Sequence, residues 1–295
     1  MRQKMGIFIG LLLVVLGAVI LYLAIPYSPT RKAFQKDLAA VQDAQGIQAQ
    51  ASLDDHRREH FTKEDFADLP LAIQKYLEGC GYLGKPKYGQ VKMAFKDVAF
   101  AQGREGKPLK INYTQYNFGQ EPVRVALIQS SLFGIPFEGY DGYRAGRGQM
   151  KGVVAKAFTI FNQTGPEMDQ ACLATYLAEA LFIPSSLLNG LIEWREISDY
   201  EVEARIHYQG QTASGIYTFN QAYEMVAFTT QSRSLAESDG HYTPMPWTAR
   251  CGNYQVNAQG IKHPTTLQAI WNYPDGDLVY FDGQDAKFSY DQIDD

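Results

Sequence analysis

HRREH, running from His56 to His60, has the H-x-x-E-H spacing in which two histidines one helical turn apart can hold zinc. The glutamate between them could then act as base. A catalytic zinc also needs a helix with one buried face, a further ligand and a cleft beside the metal. The surrounding LDDHRREHFTKED is charged on every side of a helical wheel, with only Leu53 and Phe61 apolar. The stretch is therefore read as a solvated segment, and no metal ligand is assigned.

Glu179 is the stronger chemical feature. It lies in YLAEALF, at the margin of a helical stripe formed by Leu173, Tyr176, Leu177 and Ala180. A carboxylate desolvated there has a raised pKa and can give or take a proton. It can equally be a structural acceptor, hydrogen-bonded to a strand or tyrosine beside it. Asp239 and His241 form an Asp-x-His pair in a loop, and Ser185, Ser186 and His263 are the other hydrolase-type residues. No G-x-S-x-G elbow accompanies them. A hydrolase using Glu179 or the Asp239–His241 pair is thus the alternative reading, not the leading one.

GRGQMKG, residues 146–152, does not open a helix and lacks the dinucleotide spacing. Its glycines are expected to relieve curvature in a bent sheet. Cys80, Cys172 and Cys251 are far apart and are read as buried or half-buried thiols. An aromatic set remains: Phe137, Tyr140, Tyr143, Tyr176, Phe182, Trp194, Trp247 and Trp271, with Met150 beside it. Such residues either fill a core or wall a cavity for an apolar ligand. From these, Tyr140, Tyr143, Met150, Tyr176, Trp194 and Trp247 are taken as candidate ligand contacts, with Glu179 as the polar handle.

Those residues must be held by the elements around them. Residues 5–30 carry no charged side chain, and GIFIGLLLVVLGAVILYLAIPY is long enough for the roughly 20 apolar residues a spanning helix needs. The run exceeds the ~7–15 residues of a cleavable signal and has no small-residue cleavage site. It reads as a retained anchor over 1–30, with Tyr22 and Tyr27 at the interface. Arg2 and Lys4 precede it, and Arg31, Lys32 and Lys36 follow, so charge sets orientation only weakly. A short cytoplasmic head and an extracytoplasmic body is the preferred topology. The whole chain has net charge −5, and its first 27 residues hold no acidic side chain and two of the 27 basic ones. The body is accordingly acidic, which argues against a nucleic-acid partner.

Residues 31–61 are polar and are read as a stalk, and residues 62–295 as a single body. Thr62 and Asp65 cap a short helix near 70–79. From Tyr88 the apolar period changes to two, through QVKMAF, INYTQYNFG, PVRVALIQSS, IPFEGYDGY and QMKGVVAKAFTIF. Thr164 and Glu167 spell a capping box, with Pro166 inside it, ahead of the helix MDQACLATYLAEALF. Strands then resume, EVEARIHY being the cleanest alternation. About ten strands and one main helix, without a βαβ rhythm, predict an α+β fold. The expected form is a long curved antiparallel sheet, half-barrel-like, with the helix on its concave face.

The order LPLAIQKYL, FEGYDGYRAGRGQM, TYLAEALFIPSSLL, IEW and MPWTARCGNYQVNAQGIKHPTTLQAIWNYPDGDLVYF resembles a family of bacterial membrane-anchored domains with no assigned function. The likeness runs from about Leu69 to Tyr290. It is most specific at Asp141, Tyr143, Gly146, Gly148 and Met150, in YLAEA, and in the final stretch. It implies one domain and no cofactor, and it supplies no catalytic residues. The architecture also resembles, more remotely, periplasmic lipoprotein-carrier half-barrels. The expected function is a membrane-tethered module that binds a lipid-like or other amphipathic ligand. A structural or assembly protein with a packed core is a further alternative.

Overall fold

A computed structural model describes residues 2–47, 49, 53, 57–101, 103–132, 134–236 and 241–291 of the chain. Helix α1 (Arg2–Ala24) has 23 residues and leaves its apolar side chains exposed. At 1.5 Å per residue it spans about 35 Å, enough to cross a hydrocarbon core of about 30 Å. Helix α2 (Pro29–Ala44) starts where Ser28 caps it, the Ser28 Oγ accepting from the Arg31 amide at 3.3 Å. Proline at its first position needs no amide donor there.

The segment expected to be a polar stalk contacts the body. Phe34 and Val41 of α2, with Ile47, pack on Tyr116, Phe118, Val123, Val125 and Leu127. Further on, Arg58–His60 is not helical. His60 pairs with Pro86 in a β-bridge, Arg58 pairs with Asp291, and Glu59 lies 3.6 Å from Lys87. Glu59 and His60 therefore do not share a metal-binding helix, and His56 lies outside the described residues. Thr62 and Asp65 bond to each other around a single 3-10 turn (Glu64–Phe66), and helix α3 (Leu71–Gly79) begins only after Pro70.

The first half of the sheet comprises β1 (Gln90–Phe100), β2 (Leu109–Phe118), β3 (Val123–Leu132), β4 (Ile135–Arg144), β5 (Arg147–Val154) and β6 (Phe158–Gln163). Helix α4 (Pro166–Glu179) follows, continued by 3-10 turns at Ala180–Phe182 and Pro184–Leu188. The second half comprises β7 (Ile192–Ser198), β8 (Glu201–Tyr208), β9 (Gln211–Phe219), β10 (Met225–Thr230), β11 (Ser234–Ala236), β12 (Tyr242–Pro244), β13 (Trp247–Val256), β14 (Lys262–Tyr273), β15 (Gly276–Gly283) and β16 (Lys287–Tyr290). The α+β class with a large antiparallel sheet and one main helix is as expected. The strand count exceeds the expected ten or so, with fourteen strands in the main sheet and a separate β11–β12 pair. One cause is local: QMKGVVAKAFTIF is split into β5 and β6 by a turn at Ala155 and Lys156, both at positive φ.

The sheet order is β6-β5-β4-β3-β2-β1-β15-β14-β13-β10-β9-β8-β7, with β16 added on β1. Its two ends are not hydrogen-bonded as a closed barrel, yet the arms approach each other. Gln211, at the start of β9, donates to the Gly146 carbonyl at 2.6 Å, and the Tyr143 hydroxyl reaches Gln211 at 3.3 Å. α4 lies inside this curl and is buried on almost every side, as a helix apolar all round must be. The capping box does not form. Gly165, at φ 109°, is the N-cap and no side chain caps the helix. Asp169 of the first turn instead accepts from the Gly148 amide at 2.6 Å and from Arg147 at 3.1 Å. Gly148 permits this approach, since a Cβ there would lie 2.6 Å from the Met168 carbonyl.

Candidate functional site: a cavity between helix and sheet

Between α4 and the concave face lies a cavity of about 580 Å³, within the range of small-molecule sites. Its walls are largely apolar, with Met150, Phe161, Met168, Trp247, Trp271 and Phe281 among them. Its floor is polar. Neighbouring strands β2, β3 and β4 direct Gln115, Arg124 and Asp141 to the same side, through the registers Gln115↔Ala126 and Ala126↔Asp141 and the pair Asn117↔Arg124.

Arg124 organises this floor. Its side chain keeps 4% of its surface exposed and its Nη1 lies 3.0 Å from Asp141 Oδ1. Nη2 donates to the Tyr113 hydroxyl and to Gln115 Oε1, each at 3.0 Å. Glu179, the last residue of α4, completes the arrangement. Its Oε2 accepts from Gln115 Nε2 at 2.6 Å and Asn117 Nδ2 at 2.8 Å, and lies 3.8 Å from Arg124 Nε. That Nε has no hydrogen-bond acceptor of its own. Burial raises the Glu179 carboxyl above its ordinary range, opposed by the Arg124 charge and by the Asn117 and Gln115 amides. The carboxylate keeps 17% of its side-chain surface accessible, and it lines the cavity.

A second cation stands on the wall. The Arg233 guanidinium lies over both tryptophans, 4.4 Å from the Trp247 ring centre and 5.2 Å from that of Trp271. Its Nη1 donates to Thr175 Oγ1 at 2.8 Å, while its Nε is buried without an acceptor. Among the described residues no carboxylate pairs with it.

Met150, Glu179 and Trp247 of the expected contacts line this cavity, as do Phe182 and Trp271. The other expected contacts lie elsewhere. Tyr140 is on the opposite face of the sheet, its hydroxyl donating to Asp37 of α2 at 2.9 Å. Tyr143 is buried against Tyr208, and Trp194 packs on Tyr217. Tyr176 is buried and donates to the Phe118 carbonyl at 2.8 Å. None of these four is a cavity wall: Tyr140 takes the other side of the sheet, and the other three fill packed core around the helix.

Among the described residues, Ser185, Ser186 and His263 do not converge. Ser185 donates to the Tyr88 carbonyl at 2.6 Å and Ser186 to that of Ala180 at 3.1 Å. His263 stacks on Phe288 at 4.4 Å, and burial lowers its pKa. His241 is exposed just before β12, and Asp239 lies outside the described residues. Cys80, Cys172 and Cys251 are buried and unbridged, and burial pushes each thiol up to about 12. Sequence reasoning missed Arg124, Gln115, Asn117, Tyr113 and Arg233. Asp141 stands out in the sequence only through the family resemblance. The available signal was the row of polar residues at alternate positions of INYTQYN and PVRVAL.

Residues 59–283 match the model of a family of unknown function (DUF6544), close to the span over which the landmarks above resemble such a family, though starting within HRREH. No curated protein matches the chain. Among solved structures, a Vibrio parahaemolyticus domain described as outer membrane lipoprotein-sorting is similar at 9% identity, covering 68% of this chain and 83% of that one. Its TM-score is 0.34, an overlap too loose to transfer any role.

Proposed function

We propose, for a chain that belongs to the DUF6544 family of unknown function, that the body is a membrane-tethered binding module for an amphipathic, lipid-like ligand. The observation that carries this reading is the cavity: apolar walls of a size to hold an acyl chain, with fixed charges at defined points. The apolar part of the ligand would lie along Met150, Phe161, Met168 and Phe281. An acidic head would meet Arg233, whose charge is held by two tryptophans and which has no carboxylate partner among the described residues. The anchor α1 would span the bilayer once, with the body from residue 62 onward on the extracytoplasmic side.

Filling the cavity tests the reading. Ala249 and Ala269 face each other across β13 and β14 and both line the cavity. Ala249→Phe is expected to fill that space with a stability change under about 1.5 kcal/mol, because there is room for the ring. Native mass spectrometry of the detergent-extracted protein should then show a lipid mass on the original chain and none on the variant. An empty original chain would sink the reading.

Glu179 favours a second reading, an acid–base hydrolase, because a carboxyl with a raised pKa faces the cavity. Its Oε2 is, however, engaged by two amides and close to Arg124, the environment of a structural acceptor. Turnover of ester or glycan substrates that vanishes in Glu179→Gln, with ligand retained, would favour the hydrolase.

A further inference from the structure

We infer that the cavity opens toward the bilayer that α1 spans, and that membrane lipid is the source of its ligand. This rests on the binding reading above and adds where the ligand comes from. Strand directions carry the argument. In an antiparallel meander, alternate turns fall at one end of the sheet. The turns β1–β2, β3–β4, β5–β6 and β14–β15 therefore share an end, while β2–β3 and β13–β14 lie at the other.

The anchor arrives at that first end. Lys156, in the β5–β6 turn, donates its amine to the Leu23 carbonyl at 2.9 Å and to that of Ile25. The Tyr22 hydroxyl donates to the Lys156 carbonyl at 3.4 Å. Ser28 donates to Glu138, near the start of β4. A cation on the last carbonyls of a helix satisfies groups the helix itself leaves open. These contacts tie the end of the apolar span to the tips of two hairpins.

Those tips are apolar and uncovered. Ile135 is 43% exposed, Phe158 69% and Ile160 54%. The tips adjoin, since the Ala155 amide donates to the Pro136 carbonyl at 2.8 Å. Beside an anchored helix, such a patch buries its rings at the headgroup–acyl boundary. The bilayer is thus the occupant, continuous with the span already inside it.

The cavity grades toward the same end. Its floor at Arg124, Phe182 and Cys251 is buried, whereas Ala101 is half-buried and Gly103, just past β1, is exposed. Tyr273 and Leu278 of the β14–β15 hairpin are half-buried walls at that end. The rim there also carries Arg104 paired with Asp275 at 2.7 Å, at a level suited to headgroups. An acyl chain leaving the bilayer beside Phe158 would enter the cavity with its tail along Met150, Phe161, Met168 and Phe281 and its head near Arg233.

Depth-dependent quenching on the full chain in phosphatidylethanolamine–phosphatidylglycerol vesicles tests this. Phe158→Cys would carry a fluorophore, and Glu121→Cys is the control at the far end of β3, about 30 Å away over ten residues. The three native thiols are buried and stay unlabelled. Spin-labelled acyl lipid is expected to quench the label at 158 and iodide the label at 121. Uptake of a dansylated phospholipid from the vesicles should fall about tenfold in Phe158→Asp/Ile160→Asp, the cost of placing charge in the interface. Equal iodide quenching at both positions overturns the inference even if lipid is bound, leaving the cavity reading intact. Lipid quenching at 158 with no phospholipid taken up overturns the supply of ligand from the bilayer.

Discussion

On β2 and β3, the side chains facing α2 are Tyr116, Phe118, Val123, Val125 and Leu127, all apolar or aromatic. Those facing α4 include Gln115, Asn117 and Arg124, which with Asp141 and Glu179 form a buried polar network. The outer, helix-covered face is thus the more apolar one, and the inner face of these strands is the polar one. An ordinary half-barrel core would place them the other way round. The outer face closes by packing and leaves little to adjust. The inner face closes by hydrogen bonds on one side and keeps open space on the other, which is what a site needs and a core avoids.

The largest expected effect tests the charge at the centre of the inner face. Arg124→Met leaves Asp141 and Glu179 buried without their cation, and should cost about 3–5 kcal/mol in urea unfolding. A loss below about 1 kcal/mol would mean that water, not Arg124, neutralises the floor.

Truncating one apolar side chain on each face comes next. Phe118→Ala removes a fully buried ring and should cost about 3–5 kcal/mol. Met150→Ala, on the cavity wall, should cost no more than about 2 kcal/mol, because open space already borders that side chain. Equal losses would show that the two faces are packed alike.

The smallest effect is a sign. Burial raises the folded Glu179 carboxyl, so the folded state holds its proton to higher pH than the unfolded chain does. Ionising it then costs stability as pH rises from the ordinary glutamate value of 4.5 toward the folded value. Glu179→Gln should match the original Tm below that window and exceed it above. A variant that loses ground with rising pH would show that pairing with Arg124 outweighs desolvation.

Much of the frame was legible in the chain. The uncharged run of α1 is long enough to cross a membrane, and the period of two marks the strands whatever covers them. Glu179 was visible because a carboxylate in an apolar helix turn is anomalous. Arg124, Gln115 and Asn117 were not, because polar residues alternating with apolar ones are the common pattern of a strand with one wet face. The capping box failed for a related reason: Asp169 reaches across to Gly148, a contact between elements that local spelling does not contain. Tyr140 falls on the α2 side because a large ring is equally at home on either side of a sheet, whereas Trp194 stays on the helix side but packs into the core against Tyr217.

The sequence by itself determined the long apolar N-terminal helix, the antiparallel α+β class and the single central helix, since each follows from length, charge or periodicity within one segment. Only the tertiary structure decided which face of β2–β4 looks into the cavity. Alternation separates a strand into two faces but does not say which layer covers each. Here α2 takes the apolar face and α4 the polar one, and from that choice come both the charged floor and the space above it.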